Sequence, residues 1–439
     1  MSQQFFDVRE HVFDGQHIRE YPRATANSQE DILRVTAKQY IPRSNPNPQP
    51  GDVTIIAAHA NGFVKELYEP LWDDLLVASE RHGFRIRSIW IADVAWQGQS
   101  GLMNQDLVGN DPSWYDHSRD LMQMINTYRR EMPRPLVGMG HSFGGSIVTQ
   151  VALWHPRLFS TIVLLDPVLN FRLAGPAFGF TPLELSAVRR ELWPSRAAAE
   201  TSFKRSKFYA AWDPRVLDAW VKYGLVDVPT KWFPDAGQNT KDKDGPAVTL
   251  TTTKHQEVFT FLRPLLQGVD AEGKRVFNRQ RVPDVSDASL AGSFGLSGQK
   301  TSNQPVNKLY RPEVMNTASQ LPHLRPGACY IFGGISPMST PALRREKMEM
   351  TGTGLGGNGG EKAGRVREVV LEKTGHLVAM DLPGECAEHA ASWIGQDLAY
   401  EREEAAELAA AWWPRSDVQK QTIDAEWETL IAKKPKSRL

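Results

Sequence analysis

Apolar residues form two kinds of pattern along this chain, short continuous runs and stripes that recur every three or four positions. The runs at 53–58, 136–139 and 161–165 are rich in Val, Ile and Leu, and each has the length of one buried strand; residues 84–91 predict another. Stripes typical of amphipathic helices lie between them, for example over residues 116–130. This alternation predicts an α/β fold with a mostly parallel, doubly wound sheet.

The N-terminal residues are expected to add further strands to this sheet. Residues 7–21 predict one strand region with a turn after Asp14. Residues 32–40 alternate apolar and polar side chains, as an edge strand does.

The strand pattern stops after Leu165 and resumes only at 329–332 and 365–371. We interpret the gap as an insertion after the sixth strand that folds as a lid, because its first part is rich in aromatic residues. Residues 268–307 are rich in Gly, Ser, Asn and Asp, which predicts a long mobile loop. The predicted organisation is 1–50 for the N-terminal strands, 51–166 for the first part of the core, 167–327 for the lid, 328–400 for the second part of the core, and 401–439 for a helical extension and tail.

A final helix is predicted over residues 383–400, and the Ala- and Glu-rich residues 401–413 extend it beyond what the sheet requires. The extension either wraps around the core or contacts a second copy in a homodimer. The sequence leaves both possibilities open.

Composition narrows the classes of function. Lys plus Arg (51) equals Asp plus Glu (51), so no excess of positive charge favours a nucleic-acid or membrane-surface partner. No apolar run reaches the roughly 18 residues of a membrane span, and the N-terminus lacks the basic start and apolar core of a secretory signal. The two cysteines, Cys329 and Cys386, fit a reducing compartment and have no metal-ligand spacing.

The chain ends in Ser437, Arg438 and Leu439, a conservative variant of the Ser-Lys-Leu peroxisomal address. A polar, basic stretch precedes these residues, so an import receptor could reach them. The sequence therefore predicts the peroxisomal matrix, with an ordinary solvated basic tail as the alternative.

The strongest chemical signal is the G-H-S-F-G motif at 140–144, which fits G-x-S-x-G between a predicted strand and a predicted helix. A serine at the tip of so tight a turn needs very small neighbours two residues away, which Gly140 and Gly144 supply. The turn exposes the Ser142 hydroxyl as a nucleophile. A glycine-rich turn with an inert serine is the alternative.

A serine nucleophile needs a base and an orienting acid, which in such a fold follow in the order serine, acid, histidine. His376 comes directly after the last strand, at the C-terminal edge of the sheet. In many serine enzymes of this shape the acid follows the penultimate strand. Here that turn, at 333–339, has no carboxylate, and Glu346 lies too far into the next helix. Asp166 ends the strand that follows the nucleophile helix, so it is predicted as the acid; a helix N-cap role is its alternative.

An oxyanion hole needs two backbone N–H groups. Phe143, at the start of the helix after Ser142, is predicted to supply one. The loop H-A-N-G at 59–62 is expected to supply the other, with Asn61 favoured and Gly62 or Phe63 next. His59 and His141 are expected to brace their loops.

Two further motifs carry weaker signals. Residues 354–359 match G-x-G-x-x-G but lack the strand, helix and acidic partner of a dinucleotide site, so a flexible loop is favoured. The basic segment 189–207 is either a solvated lid helix or a contact for the phosphates of a CoA ester.

These residues resemble the α/β-hydrolase superfamily. Three stretches, HANGFVKELYEPLW at 59–72, MPRPLVGMGHSFGG at 132–145 and the glycine loop before 365–368, are also similar to fungal peroxisomal hydrolases of secondary-metabolite clusters, including those of mycophenolic acid and host-selective toxin biosynthesis. The resemblance implies a Ser–Asp–His triad with its acid after the sixth strand, and peroxisomal hydrolysis of acyl-CoA thioesters. Ala60 differs from the His-Gly-x-Gly expected in such relatives.

Three interpretations of the function remain open. In the first, the chain is a serine hydrolase of fungal secondary metabolism that cleaves a bulky apolar acyl-CoA thioester without a metal or other cofactor. In the second, the same residues act on an oxygen ester or lactone, as in a carboxylesterase or lipase-like enzyme, or transfer the acyl group. In the third, the chain is a non-catalytic binding protein with a hydrolase fold.

Overall fold

The computed structural model describes residues 2–171, 180–236, 245–264, 268–269, 271–272, 275–276 and 309–431. Its main feature is an eight-stranded sheet. The strands are β1 (Phe6–Asp14), β2 (Arg34–Pro42), β3 (Val53–Ala58), β4 (Ile86–Ala92), β5 (Leu136–His141), β6 (Thr161–Leu165), β7 (Gly327–Gly333) and β8 (Val366–Leu371).

The strand order is β1-β2-β4-β3-β5-β6-β7-β8. The β1–β2 and β2–β4 pairs are antiparallel, and the other five pairs are parallel. Ala58 pairs with Gly140, and Leu165 pairs with both His141 and Ile331. The C-terminal ends of four neighbouring strands therefore lie level, and their loops meet above one edge of the sheet. The predicted mostly parallel sheet is confirmed.

Helices cover both faces of the sheet, and each face has its own apolar cluster. Adjacent strand residues point to opposite faces, so Ile55 belongs to the cluster under α1 and α12, and Ile56 to the cluster under α3, α4 and α9. The helices are α1 (Glu69–Arg81), α2 (Gly98–Met103), α3 (Trp114–Thr127), α4 (Phe143–Trp154), α5 (Phe180–Val188), α6 (Arg196–Arg205), α7 (Pro214–Tyr223), α8 (Lys254–Phe261), α9 (Pro312–Ser319), α10 (Pro341–Met350), α11 (Val378–Asp381), α12 (Pro383–Ala411), α13 (Asp417–Gln421) and α14 (Ala425–Leu430).

Two predictions near the N-terminus were wrong in detail. The strand predicted at 7–21 ends at Asp14, because the following residues bond to α3 instead of the sheet: Gln16 N–H and Arg19 both bind the carboxylate of Asp120, at 2.8 Å each. The edge strand predicted at 32–40 is β2, which pairs with β1 on one side and β4 on the other, so the edge of the sheet is β1.

The insertion after β6 contains the helices α5 to α8. It also has a small antiparallel sheet in the order Leu192–Trp193, Val248–Leu250, Leu225–Asp227, and two short strand pairs, Arg263–Pro264 with Leu309–Tyr310 and Gly268–Val269 with Arg275–Val276. We call residues 180–236 and 245–264 the cap. Apart from the short stretches at 268–272 and 275–276, the predicted mobile loop at 268–307 lies outside the described residues.

The cap packs on the core beside the loop after β3. Trp212 meets the ring of Phe63 edge-on, with centroids 5.5 Å apart, and Trp220 lies 6.2 Å from the same ring. Arg215 of α7 pairs with Asp74 of α1 at 2.7 Å. The cap thus reaches the level edge of the sheet, where the candidate site lies.

The two helical segments predicted at 383–400 and 401–413 form one helix, α12, that ends at Ala411. Beyond about residue 400 its side chains are mostly exposed, as are those of α13 and α14. A homodimer contact through this extension stays a prediction. No helix in the described part of the chain is long and apolar enough to cross a membrane.

Candidate active site

Ser142 stands at a sharp turn between β5 and α4, with φ 58° and ψ −119°. This conformation is strained for a residue with a Cβ atom. Glycine is required on both sides, because a Cβ on Gly140 would lie 2.2 Å from the carbonyl oxygen of Gly144, and one on Gly144 would lie 2.2 Å from that of Ala58. The turn therefore holds the Ser142 side chain above the sheet edge.

Ser142, His376 and Asp166 form a continuous hydrogen-bonded series. His376 Nε2 lies 2.7 Å from Ser142 Oγ, and His376 Nδ1 lies 2.5 Å from Asp166 Oδ2. The Asp166 side chain is fully buried, whereas the His376 side chain is 26% exposed, so solvent can reach the imidazole but not the acid. This arrangement can transfer a proton from the hydroxyl to the imidazole while the carboxylate stabilises the imidazolium.

His376 follows β8 on a short loop that rests against the turn after β7. Ile335 N–H donates to the Thr374 carbonyl at 3.1 Å. A Cβ on Gly333 would lie 2.0 Å from the Gly375 carbonyl oxygen, so the two backbones touch. The position of the imidazole thus depends on the turn after β7.

That turn also holds Asp166. Ser336 Oγ donates to Asp166 Oδ2 at 2.6 Å, and Gly333 N–H donates to Asp166 Oδ1 at 3.2 Å. The Ser336 oxygen itself accepts from Met338 N–H, which leaves its hydroxyl hydrogen for the carboxylate. Ser336 is not among the residues predicted from the sequence, because the chemistry expected in this turn was a carboxylate. The available signal was a small hydroxyl side chain in a turn that faces the predicted acid.

The surroundings keep Asp166 ionised. Burial alone would raise the pKa of Asp166, but the hydrogen bond and charge of His376, together with bonds from Ser336 and Ser339, bring this pKa below its ordinary value. Asp166 is therefore a carboxylate at neutral pH, the form that can orient the imidazole and balance its charge.

Lys347 of α10 is a buried ammonium near this carboxylate. Within the described residues, its Nζ donates to the carbonyls of Met338 and Leu343 alone, at 3.3 and 3.4 Å. Burial lowers the pKa of Lys347 to about 8, although Asp166 and Glu346 act to raise it. The unfolded chain binds this proton more tightly than the folded chain, so the charged lysine lowers stability below pH 8, and the cost fades as the pH rises toward the ordinary lysine pKa.

Replacing Lys347 with methionine is therefore expected to stabilise the protein more at pH 7 than at pH 10. The gain in the free energy of unfolding over the parent chain should be larger at pH 7 by about 2.5 kcal/mol. Denaturant unfolding of both chains between pH 7 and pH 10 measures the change. Lys362→Met, at an exposed position, corrects for general effects of alkaline pH. A difference that stays constant with pH would contradict the prediction.

The two backbone N–H groups predicted as oxyanion donors, those of Phe143 and Asn61, have no acceptor in the described part of the chain. Phe143 is the first residue of α4, where the helix supplies no acceptor. In the loop after β3, Ala60 N–H donates to Tyr68 Oη at 2.8 Å and Gly62 N–H donates to Gln97 Oε1 at 2.9 Å. Asn61 N–H has no acceptor within the described ranges, which agrees with its choice over Gly62.

The side chain of Asn61 is bound at both ends. Its oxygen accepts from Gln97 Nε2 at 2.7 Å, and its nitrogen donates to the carbonyl of Glu257 in α8 at 3.0 Å. Gln97 is itself buried and also donates to Thr260 of α8. The side chain of Asn61 is thus held by one core side chain and one helix of the cap, and this also fixes the position of its backbone N–H. No local sequence signal reveals these contacts.

The basic segment of the cap is largely used for internal contacts. Arg189 pairs with Glu257 at 2.6 Å, Arg196 pairs with Asp227 at 3.0 Å, and Lys204 pairs with Glu200 one turn away. These partners weaken the hypothesis that the whole segment contacts CoA phosphates. Among the described residues, no group of three His, Cys, Asp or Glu side chains could hold a metal ion.

The fold and these residues define a class of protein. The chain belongs to the alpha/beta hydrolase family, whose model matches residues 55–389, and it is a hydrolase enzyme. Individual relatives are similar over much more than the serine motif. The type I acyl-CoA thioesterase mpaH of Penicillium roqueforti (strain FM164) is 40% identical over 410 residues, which cover 91% of this chain and 89% of that protein.

A second thioesterase with the same description, mpaH' of Penicillium brevicompactum, shows the same identity and coverage. The abhydrolase domain-containing protein ACTT2-1 of Alternaria alternata is 29% identical over 271 residues, 61% of this chain and 85% of that protein. The predicted resemblance to fungal hydrolases is confirmed.

Solved structures show the same fold. The peroxisomal alpha-beta-hydrolase Lpx1 of Saccharomyces cerevisiae superposes with a TM-score of 0.64, covering 98% of this chain and 96% of its own. At 15% sequence identity, this likeness bears on the fold alone.

Proposed function

We propose that this chain is an acyl-CoA thioesterase that works through Ser142, His376 and Asp166. The observation that carries the proposal is the hydrogen-bonded series from Ser142 Oγ through His376 to the buried Asp166, with hydrogen-bond distances of 2.7 and 2.5 Å. Support for a thioester substrate comes from the thioesterases that are 40% identical to nine-tenths of the chain.

In the proposed reaction, Ser142 Oγ attacks the thioester carbonyl carbon while His376 Nε2 takes the hydroxyl proton. The tetrahedral oxyanion accepts hydrogen bonds from the amides of Phe143 and Asn61. The carbon–sulfur bond breaks, and the proton on His376 passes to the CoA sulfur. Water then attacks the acyl-serine and gives a proton to His376. His376 passes this proton to Ser142 Oγ as the carboxylic acid leaves.

The acyl group is proposed to be bulky and apolar. The cap places a set of aromatic rings around Phe63, the residue after the oxyanion loop. Trp212, Trp220, Tyr209 and Phe203 form a continuous cluster there, and Phe208 is half-exposed at its margin. The first four of these rings are themselves buried, so they make this side of the cap apolar, and an apolar site suits an apolar ligand.

A place for this reaction is proposed from the C-terminal tripeptide Ser437, Arg438 and Leu439, which lies outside the described residues. Recognition by a peroxisomal import receptor would bring the enzyme into the peroxisomal matrix, and relatives in Penicillium and Alternaria favour a role in fungal secondary metabolism. Import of a tagged full chain, lost when these three residues are removed, is the measurement that tests the address.

The proposed function is tested by turnover on a matched panel. Each acyl group, from acetyl to large aromatic and polycyclic acids, is supplied as its CoA thioester and as its ethyl ester, and release of thiol or acid is followed with the parent chain and Ser142→Ala. We expect the highest kcat/KM for bulky CoA thioesters. Faster hydrolysis of the oxygen esters, or transfer of the acyl group to an added alcohol in place of water, would contradict the thioesterase proposal.

A further inference from the structure

A series of three hydrogen bonds joins the loop that carries Asn61 to the loop that carries His376. Ala60 N–H donates to Tyr68 Oη at 2.8 Å. Tyr68 Oη lies 2.9 Å from His141 Nδ1, and His141 Nε2 lies 3.0 Å from the backbone oxygen of His376. Tyr68 and His141 are 2% and 0% exposed, so water does not compete for the first two bonds, whereas the third bond is partly buried.

The two ends of the series determine the direction of every proton in it. A backbone N–H can only donate, so Tyr68 Oη accepts from Ala60 and must donate its own hydrogen to His141 Nδ1. A backbone carbonyl can only accept, so His141 carries its hydrogen on Nε2 and donates to His376. One tautomer of His141 and one rotamer of the Tyr68 hydroxyl satisfy all three bonds.

Both middle groups remain uncharged over the working range of an enzyme. Burial and the neighbouring His376 lower the pKa of His141 to about 3, and burial raises the pKa of Tyr68 above its ordinary value. Neither group therefore gains or loses a proton near neutral pH, which suits a role in holding geometry and not in moving protons.

The geometry that the series holds is the one the proposed reaction needs. Asn61 and His376 lie far apart in the chain, yet one must bind the oxyanion while the other exchanges protons with Ser142 Oγ. His141 is also the residue directly before Ser142, so the series passes beside the nucleophile. A displacement of about 1 Å in such a site can cost on the order of 100-fold in rate.

We propose that Tyr68 and His141 are positioning residues that set the spacing between the oxyanion donor on the 59–62 loop and the base His376. This inference rests on the proposed serine mechanism. It adds two side chains that touch none of the reacting atoms in that mechanism, and it gives the second residue of the G-H-S-F-G motif a function.

The first test is Tyr68→Phe, which removes one hydroxyl and leaves Ala60 N–H and His141 Nδ1 without partners. We expect kcat to fall by about 10- to 30-fold with KM changed less than about threefold, since the bonds matter most when the oxyanion and the imidazolium form. The rate at which a fluorophosphonate labels Ser142 should fall by a similar factor.

The matched control is Tyr330→Phe. Tyr330 is a fully buried tyrosine on β7 whose hydroxyl bonds Thr351 Oγ1 at 2.7 Å, outside the series. The Tyr330→Phe variant should lower the melting temperature as Tyr68→Phe does, and it should leave kcat within about twofold of the parent. Equal kcat values for the two variants would overturn the proposal.

A double-mutant cycle tests the connection itself. His141→Gln keeps an amide donor that can reach the His376 carbonyl, so it should retain more activity than His141→Leu. Combining Tyr68→Phe with His141→Leu should cost little more than His141→Leu alone, since the two residues act as one unit. Losses that simply multiply would overturn the proposal, and if His141→Leu does not fold, the comparison of Tyr68→Phe with Tyr330→Phe decides it.

Ser142→Ala is measured alongside to separate two kinds of failure. If Ser142→Ala keeps full activity, the serine mechanism is wrong, whatever Tyr68→Phe does. If Ser142→Ala is inactive and Tyr68→Phe behaves like Tyr330→Phe, the mechanism stands and only the positioning role is wrong.

Discussion

Replacing Ser142 with alanine is expected to lower kcat on the best CoA thioester by about 10⁵- to 10⁶-fold. The hydroxyl is the only candidate nucleophile that bonds His376, at 2.7 Å, among the described side chains. Without it, the proposed oxyanion donors, the amides of Phe143 and Asn61, could still bind the carbonyl oxygen, but no acyl-enzyme would form. Thiol release in steady state measures the loss, and mass spectrometry after mixing with substrate should find an acyl adduct on the parent chain alone.

Ser146→Ala is the matched control for this prediction. Ser146 lies one helical turn beyond Ser142 in α4, and its hydroxyl donates to the Val168 carbonyl without contacting His376. Its variant should keep activity within a few-fold of the parent. Near-normal turnover by Ser142→Ala, or an equal loss in both variants, would rule out the proposed nucleophile.

Asp166→Asn is expected to lower kcat by about 10⁴-fold. An asparagine can keep the shape of the side chain, but it loses the negative charge that balances an imidazolium. It can also present its N–H₂ group to His376 Nδ1, which favours the wrong tautomer of the ring and removes the base from Ser142 Oγ. Single-turnover kinetics of acyl-enzyme formation measure the chemical step directly.

Glu346→Gln serves as the control for the acid, because Glu346 is the first carboxylate after β7 along the chain. It lies within α10, a full turn or more from the 333–339 turn that holds Asp166. The variant should keep nearly all activity. A mild effect of Asp166→Asn together with a large effect of Glu346→Gln would show that the acid was assigned to the wrong strand.

Much of the framework could be read from the sequence because its signals are local. A buried run that ends in Asp166, a strand and helix on either side of Ser142, and a late strand followed by His376 each appear within a few neighbouring residues. Parallel strands bring their C-terminal ends to one edge, so residues after several strand ends were expected to meet there. The structure places these three side chains in hydrogen-bonding contact.

The supporting contacts could not be predicted in the same way. Ser336 bonds a residue 170 positions away, and Tyr68 bonds one 73 positions away. No periodicity encodes such pairs, since they depend on how distant loops meet after folding. The end of β1 at Asp14 also depends on a distant contact. Arg19 binds the buried Asp120 of α3, which directs the chain away from the sheet.

The position of Asp166 after β6, and not after β7, affects which changes β7 can tolerate. Asp166 follows β6 and His376 follows β8, so β7 lies between the two strands. Gly333 at the end of β7 and Ser336 in the turn after it both donate to Asp166. Leu165 is in register with Ile331, and a slip of one residue would carry Ser336 about 3.3 Å along the strand and turn the β7 side chains to the opposite face. This edge can therefore tolerate exchanges of side chains on β7 far better than an insertion or a deletion within it.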